Sequence, residues 1–202
     1  MIENTIEASE ITVLSDSHHA QLARFWTTHG VKLNSIKGAT IPDLMEFSNH
    51  VVASTYILQV GSNDLEKTDG YTVAQTLTQL VIKLANRPYT KAVVTERIIP
   101  RDSGSNYVTN YKIFEQNFRR CHYKHHAIGT DMFLDTDRQQ IDKTVYHRDK
   151  THLNTKGLDE YSIVLDWVIS SINNNAFGGW SRPIVRARNN RPPDTYHARW
   201  LY

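Results

Sequence analysis

The sequence predicts a layered α/β domain in which helices cover both faces of a mostly parallel sheet of five strands. Short apolar runs alternate with amphipathic stretches along most of the chain, and this alternation is typical of successive strand and helix units. Connections of about 10–15 residues are long enough for the crossover helix that parallel neighbours require. The chain has 202 residues, enough for one compact domain with a short appendage.

Each strand is predicted from a short run of apolar and β-branched residues. The five runs lie at residues 11–14, 31–36, 55–60, 91–99 and 127–133. The third run, TYILQV, has the strongest strand pattern, and Pro100 ends the fourth because proline lacks the N–H that a strand ladder uses. The chain between residues 134 and 150 is polar, and we expect it to be irregular.

Amphipathic spacing predicts the helices. They lie at residues 20–29, at 41–47, at 72–85, within 107–122 and at 158–172. Gly30 is placed to end the first helix, and Thr40 is placed to cap the start of the second. The third helix is the clearest, because its apolar residues recur at i, i+3 and i+4 on one face. These residues are Val73, Leu77, Leu80, Val81 and Leu84.

Composition excludes several classes of protein. Hydrophobic residues make up 40% of the chain and charged residues 22%, as in ordinary globular proteins. No apolar run approaches the roughly 18–20 residues of a membrane-spanning helix. The amino terminus has neither the basic start nor the apolar stretch of a secretion signal, and the single cysteine, Cys121, excludes an internal disulfide. We therefore expect an intracellular, cytoplasmic protein.

The last segment differs in composition from the rest of the chain. After Ser171, five arginines accompany one acidic residue, whereas the remainder has 18 basic and 20 acidic residues. We place a domain at residues 1–175 and a basic, aromatic-rich tail at residues 176–202. The tail suits docking on a protein partner, on a second copy of the chain or on its own domain. Its arginines and aromatics would also suit nucleic acid.

Polar motifs follow the first three predicted strands, at the edge where a parallel sheet has its ligand crevice. Ser17 follows the first strand at a turn into a helix, Gly38 follows the second, and Asn63 follows the third. A serine at such a turn can act as a nucleophile, and glycine and asparagine N–H groups can bind an oxyanion. Taken singly, the three motifs are better explained as a helix cap, a loop glycine and a turn.

A carboxylate and an imidazole precede the last predicted helix. Asp149 and His152 are three residues apart, so the carboxylate can hold Nδ1 of the imidazole and leave Nε2 free as a base. Alone, the pair is somewhat better explained as a helix cap beside an exposed histidine. With the three other motifs it completes a set for acyl transfer: a nucleophile, oxyanion donors, a base and an orienting acid.

Other polar residues are interpreted more simply. The histidines of HYKHH, at residues 122–126, have no acidic or cysteine partner at a metal-binding spacing, so we expect no metal site. His18 and His19 are expected to begin the first helix. Arg101 follows the fourth strand and should point toward the same crevice edge, where a substrate contact is conceivable.

The four motifs, in this order, resemble the sequence blocks of SGNH (GDSL) hydrolases, a family named for its Ser, Gly, Asn and His residues. Ser17 matches the first block, Gly38 the second, GSND at residues 61–64 the third, and Asp149 with His152 the last. The third and last blocks, in ILQVGSND and DKTHLNTKG, are the most specific. The resemblance covers essentially the whole predicted domain.

This resemblance implies a flavodoxin-like, three-layer α/β/α fold and the hydrolysis of short-chain, acetyl or lipid-like esters without a metal or another cofactor. It implies that Ser17 is the nucleophile, that His152 is the base and that Asp149 orients the base. The N–H groups of Ser17 and Gly38 and the side chain of Asn63 would bind the oxyanion.

The first block departs from the usual Gly-Asp-Ser-Leu, since Ser15 replaces the glycine and His18 replaces the leucine. Neither change removes a catalytic group, so the departure bears on substrate preference. The Asp-Ser-His variant is similar to esterase-like domains of animal genomes, some of which are carried by non-LTR retrotransposons. Two alternatives stay open: a catalytically silent SGNH-like module of a larger assembly, and a nucleic-acid-binding part of a mobile element, which rests on the tail alone.

Overall fold

The structure, a computed structural model, has the predicted fold class: a parallel sheet with helices on both faces. It describes residues 9–22, 30–101, 104–118, 124–130, 134–135, 140–141, 143–174 and 184–185. Cys121, residues 23–29 of the first predicted helix and most of the predicted tail lie outside the described residues.

The main sheet contains the five predicted strands and one short addition. The strands are β1 (Ser9–Ser15), β2 (Val31–Ser35), β3 (Ala53–Gln59), β4 (Ala92–Glu96), β5 (His125–Thr130) and, near the carboxyl terminus, the two-residue β8 (Ile184–Val185). Their order is β2-β1-β3-β4-β5-β8, and all neighbours are parallel. Strand β1 therefore lies between β2 and β3, with Ile11 opposite Val31 on β2 and opposite Thr55 on β3.

The described helices and minor elements surround this sheet. The helices are α1 (Ser17–Leu22), α2 (Ile41–Phe47), α3 (Ser62–Leu65), α4 (Gly70–Ala85), α5 (Ser105–Asn117) and α6 (Thr155–Asn173). Two 3-10 turns lie at Ser48–His50 and Lys143–Val145, and a small antiparallel hairpin joins β6 (Leu134–Asp135) to β7 (Gln140–Ile141). Of the described helices, none is long and apolar enough to cross a bilayer.

Two apolar clusters fill the spaces between the sheet and its helices. On one face, Leu58 and Val93 of the sheet pack with residues of α2, α4 and α5. The predicted inward face of α4, which includes Leu77, is buried in this cluster as expected. On the other face, Ile57 and Val94 pack with α1 and α6. Alternation along the strands sends neighbouring side chains to opposite clusters, which gives the three layers.

The structure departs from the predicted bounds of several elements. Strand β4, for example, ends at Glu96 instead of continuing to Pro100. Helix α1 begins at Ser17 instead of residue 20, because the Asp16 carboxylate accepts the N–H of His18 and caps the helix early. Helix α3 has only four residues, too few to show a helical period, and its sequence was interpreted as a turn. The segment at residues 134–150 was expected to be irregular but includes the small hairpin and a 3-10 turn.

Candidate active site

Hydrogen bonds join the carboxyl ends of the three strands that carry the first three motifs. The N–H of Ile36 donates to the Ser15 carbonyl at 3.0 Å, and the N–H of Asp16 donates to the Gln59 carbonyl at 3.2 Å. The Ser35 hydroxyl also donates to the carbonyl of Asp16. The chain leaves β1 toward β2 on one side and returns to β3 on the other. Such a switch point opens a crevice at the carboxyl edge of a parallel sheet.

Ser17 is the first residue of α1 and is only 9% exposed. Before it, the buried Asp16 accepts the N–H of His18 through Oδ1 at 3.1 Å. The helix cap that the sequence allowed as an alternative is therefore present, but it is made by Asp16. The Ser17 hydroxyl is left for another contact, and its Oγ lies 3.5 Å from Nε2 of His152.

The last motif lies on a tight loop that precedes α6. An antiparallel bridge between Tyr146 and Leu153 closes the loop. Within it, Lys150 adopts a φ of 58°, a left-handed conformation that turns the chain sharply between Asp149 and His152. The loop thereby brings the carboxylate and the imidazole together.

Three hydrogen bonds hold Asp149 against this turn. Its Oδ2 lies 2.7 Å from Nδ1 of His152, and its Oδ1 accepts the N–H groups of Thr151 and His152, both at 3.0 Å. Desolvation opposes the charge of Asp149, but these hydrogen bonds outweigh it and hold the pKa of Asp149 well below its usual range. An ionised acceptor at Nδ1 requires a hydrogen on that nitrogen, so Nε2 presents its lone pair toward Ser17 Oγ.

The third motif begins with a glycine that the geometry requires. Gly61 has a φ of 118°, and a Cβ at this position would lie 2.6 Å from Cδ1 of Ile98. The turn at Gly61 starts α3, so that Nδ2 of Asn63 donates to the Ala39 carbonyl at 2.8 Å. Ala39 directly follows Gly38, so this contact brings the second and third motifs together.

A second contact fixes the same two loops. Both carboxylate oxygens of Asp64 accept the N–H of Ile41 at 3.1 Å. Thr40 caps α2 as predicted, and its N–H donates to Oδ2 of Asp43 at 2.8 Å. The loop that carries Gly38 is therefore held by α3 at one point and by its own helix cap at another.

Arg101 also belongs to this edge of the sheet. Its side chain is 3% exposed. The guanidinium donates to Oε1 of Glu66 at 2.9 Å and to Oδ1 of Asn63 at 3.0 Å. The predicted position near the crevice is correct, and the contacts of Arg101 on the described residues are with the candidate oxyanion residue and with an acid.

The segment before Arg101 connects the oxyanion side of the crevice to the loop at residues 146–153, called the histidine loop below because it carries His152. The Ile99 carbonyl accepts the Ser62 hydroxyl at 3.1 Å, and the Pro100 carbonyl accepts the Tyr146 hydroxyl at 2.5 Å. Ser62 belongs to α3, while Tyr146 closes the loop of the last motif. A single stretch of backbone thus positions both sides of the candidate site.

A buried polar layer lies beneath α1, between the sheet and α6. The Tyr161 hydroxyl donates to Oε2 of Glu96 and lies 3.0 Å from Nε2 of His19. Since the hydroxyl has one hydrogen, Nε2 of His19 must donate to it. Burial raises the pKa of Glu96 to about 7 and lowers the pKa of His19 to about 3. Burial therefore favours the neutral form of His19 near pH 7, and it raises the pH at which Glu96 ionises.

His18 lies beside the candidate base. Its ring centroid is 5.9 Å from that of His152, and its residue surface is 1% exposed. Burial, aided by the nearby charge of Arg101, lowers the pKa of His18 well below its usual range. Neither ring nitrogen of His18 has a hydrogen-bond partner among the described residues.

The structure joins Ser17, His152 and Asp149 in one series of contacts, and it joins Asn63 to Ala39, the residue after Gly38. Sequence analysis missed the link from Arg101 to Asn63 and the layer formed by His19, Glu96 and Tyr161. No sequence spacing signals these contacts, because each joins distant elements.

Metal ligands are not assembled in the described residues, where no group of three or more His, Cys, Asp or Glu side chains could hold an ion. In the HYKHH segment, residues 122 and 123 lie outside the described residues. His125 is buried and its Nε2 lies 2.8 Å from the Thr95 hydroxyl.

No family model and no curated protein matches the sequence. Solved structures do match the fold. A GDSL-like lipase from Bacteroides thetaiotaomicron has a TM-score of 0.65 at 14% identity, covering 81% of this chain and 89% of the other. A lipase/acylhydrolase from Enterococcus faecalis has a TM-score of 0.53 at 16% identity, covering 77% and 93%.

A psychrotrophic esterase from a Pseudoalteromonas species, in a structure inhibited by monoethylphosphonate, has a TM-score of 0.55 at 18% identity. The match covers 82% of this chain and 97% of the esterase. The chain therefore spans most of the length of these three proteins. At such identities the likeness shows the fold: the chain has the three-layer α/β/α fold of GDSL-type lipases and acylhydrolases.

Proposed function

We propose that the chain is a serine ester hydrolase of the SGNH type. One observation carries this proposal: Asp149 Oδ2, His152 and Ser17 Oγ form a connected series, with contacts of 2.7 and 3.5 Å, at the carboxyl edge of the sheet. The arrangement of acid, base and hydroxyl is that of nucleophilic acyl transfer. The 3.5 Å contact is longer than an ideal hydrogen bond, as is common before a substrate binds.

The reaction follows from these positions. Ser17 Oγ attacks the ester carbonyl while Nε2 of His152 takes its proton, and Asp149 stabilises the imidazolium that forms. The N–H groups of Ser17 and Gly38 and the second Nδ2 hydrogen of Asn63 stabilise the tetrahedral oxyanion. His152 then protonates the departing alcohol. Water attacks the acyl-enzyme and gives one proton to His152, which returns that proton to Ser17 Oγ as the carboxylic acid leaves.

The favoured substrates are esters with a short acyl group, acetyl esters among them. The polar side chains near this edge of the sheet support this choice: His18 lies beside His152, and Arg101 contacts Asn63. A long acyl chain needs apolar surface to replace the water that it loses. A lipid-like alcohol on the other side of the ester is compatible with this proposal.

Two measurements test the proposal. A fluorophosphonate probe should modify Ser17, located by mass spectrometry, because it reacts with an activated serine as an ester does. Hydrolysis of p-nitrophenyl acetate should fall to background in Ser17→Ala and His152→Ala, with both variants still folded. His147→Ala is the matched control: His147 lies in the same loop and is exposed, and its removal should leave hydrolysis unchanged.

Labelling at another residue, or full hydrolysis by His152→Ala, would contradict the assignment. Absence of both labelling and hydrolysis in the wild type would favour a catalytically silent module instead.

A further inference from the structure

Arg101 carries a buried positive charge whose known contacts are few and specific. One nitrogen of the guanidinium donates to Glu66 at 2.9 Å and another to the side-chain oxygen of Asn63 at 3.0 Å. A buried cation is costly unless its hydrogen bonds and charge are satisfied. Glu66 supplies the opposite charge from a side chain that is 39% exposed. Asn63 is neutral, so its contact does little to offset the charge of Arg101. The contact can instead act on the orientation of the Asn63 side chain.

The two contacts of Asn63 determine which way its amide points. Arginine can only donate hydrogen bonds, so the atom that faces Arg101 must be the amide oxygen. The Ala39 carbonyl can only accept, so the atom that faces it at 2.8 Å must be the amide nitrogen. A flipped amide would place two donors together on one side and two acceptors together on the other. Both contacts therefore favour a single orientation.

This orientation matters for the chemistry of the proposed site. An amide nitrogen has two hydrogens, and one is used at Ala39. The second hydrogen remains for an oxyanion. If the amide of Asn63 flipped, its oxygen would replace the nitrogen and would repel the negative charge of the tetrahedral intermediate.

We propose that Arg101 is a positioning residue that holds the Asn63 amide in the orientation required for oxyanion binding. The proposal rests on the proposed function, because it assigns a role within the same site. Glu66 keeps the guanidinium in place, and Asn63 is the group that would touch the substrate.

A double-mutant cycle tests the proposal. Asn63→Ala alone should lower kcat by about 10²–10³ with a smaller effect on KM, because the donor acts mainly in the transition state. Arg101→Met keeps an unbranched apolar stem but removes the guanidinium and its donors, and should lower kcat by roughly 10–100-fold. In the Asn63→Ala background, Arg101→Met should lower kcat by no more than about twofold, because its partner is already absent. An equal loss in both backgrounds would overturn the proposal.

Arg87→Met is the matched control for losing a hydrogen-bonded arginine. Arg87 donates to the Ser48 and Val51 carbonyls, both at 2.8 Å, near the opposite end of β3 from the site. Its loss should lower the melting temperature without lowering kcat. If Arg87→Met lowers kcat as much as Arg101→Met does, the effect of Arg101 is one of general stability and the proposal fails.

The side-chain amide signals of Asn63 give a readout that does not need activity. In nitrogen-15 NMR spectra these signals are identified by their loss in Asn63→Ala. We expect them to be well separated from free amides in the wild type and to move toward free-amide positions in Arg101→Met. Unchanged signals would overturn the role of Arg101 even if hydrolysis is observed. If the Asn63 signals move in Arg101→Met but the wild type hydrolyses no ester, Arg101 does orient the Asn63 amide and the proposed function is rejected.

Discussion

Asp16 and His18 flank Ser17, and burial shifts their pKa values in opposite directions. Burial raises the pKa of Asp16 to about 6, against the effect of the His18 N–H, while the pKa of His18 falls well below its usual range. His18 is therefore neutral near pH 7. A neutral ring 5.9 Å from His152 adds no like charge when His152 becomes an imidazolium. The histidine that replaces the usual leucine thus does not work against the proposed base.

The buried carboxyl group of Glu96 leads to a prediction of how the free energy of unfolding depends on pH. Burial raises the pKa of Glu96 from 4.5 to about 7 in the folded chain. Between these values the folded state binds a proton that the unfolded state lacks, so the free energy of unfolding contributed by Glu96 falls as pH rises. Glu96→Gln keeps an oxygen acceptor for Tyr161 but cannot ionise. The variant should be more stable than the wild type by roughly 2–4 kcal/mol at pH 8, and similar to it at pH 4.

Urea unfolding of both proteins at the two pH values measures this difference. A stability difference that is the same at pH 4 and at pH 8 would mean that Glu96 does not change its charge in this range.

At the scale of elements, the histidine loop is held at both ends by Asn154. The side chain of Asn154 caps α6 by accepting the N–H of Gly157 at 3.1 Å. Its Nδ2 also donates to the carbonyls of Thr144 and Tyr146, at 2.8 and 3.0 Å. One amide thus joins the start of the helix to the chain that enters the loop. The position of His152 depends on this junction.

Asn154→Ala should therefore affect both stability and catalysis. We expect a loss of about 1–2 kcal/mol in the free energy of unfolding, since a helix cap and two further hydrogen bonds disappear. We also expect a lower kcat. Asp69→Ala is the matched control, because Asp69 caps α4 by accepting the N–H of Thr72 at 3.0 Å. It should cost about 1 kcal/mol and leave kcat unchanged. Equal kcat in the two variants would show that the cap does not position His152.

Elements with a repeated pattern, and contacts between near neighbours such as Asp149 and His152, could be predicted from the sequence. Contacts of Arg101 and Tyr161 with distant residues could not. The buried face of α4 follows directly from apolar spacing, and the positions of Ser17 and Asn63 follow from the ends of two strands. By contrast, Arg101 reaches Asn63 across 38 residues, and Tyr161 reaches Glu96 across 65. Such contacts depend on where whole elements pack, and no local pattern encodes that placement.

At the scale of the whole molecule, the tail at residues 176–202 remains a proposed docking segment. It has five arginines and several large aromatics but no periodic apolar face with which to form a core of its own. Fixing each of its residues costs about 1–2 kcal/mol of backbone entropy, so ordering requires a surface to lie on. Only β8 is described within it, where Ile184 and Val185 pair with Gly129 and Thr130.

Deleting residues 178–202 should leave hydrolysis at Ser17 intact but weaken self-association or partner binding. An esterase assay and light scattering on the shortened chain measure the two properties. Loss of hydrolysis in a folded protein would instead make the tail part of the site. Loss of salt-sensitive RNA or DNA binding, with the two other properties unchanged, would favour nucleic acid as the partner.

The wide separation of the candidate nucleophile and base along the chain has a consequence for synthesis. Ser17 and His152 are 135 positions apart, and α6, which packs behind them, ends only at Asn173. A chain emerging from the ribosome exposes its serine early, but without a base to activate it. Contacts this distant in sequence form late in folding. Under the proposed mechanism, a growing chain therefore has no activated serine until nearly all of the domain has been translated.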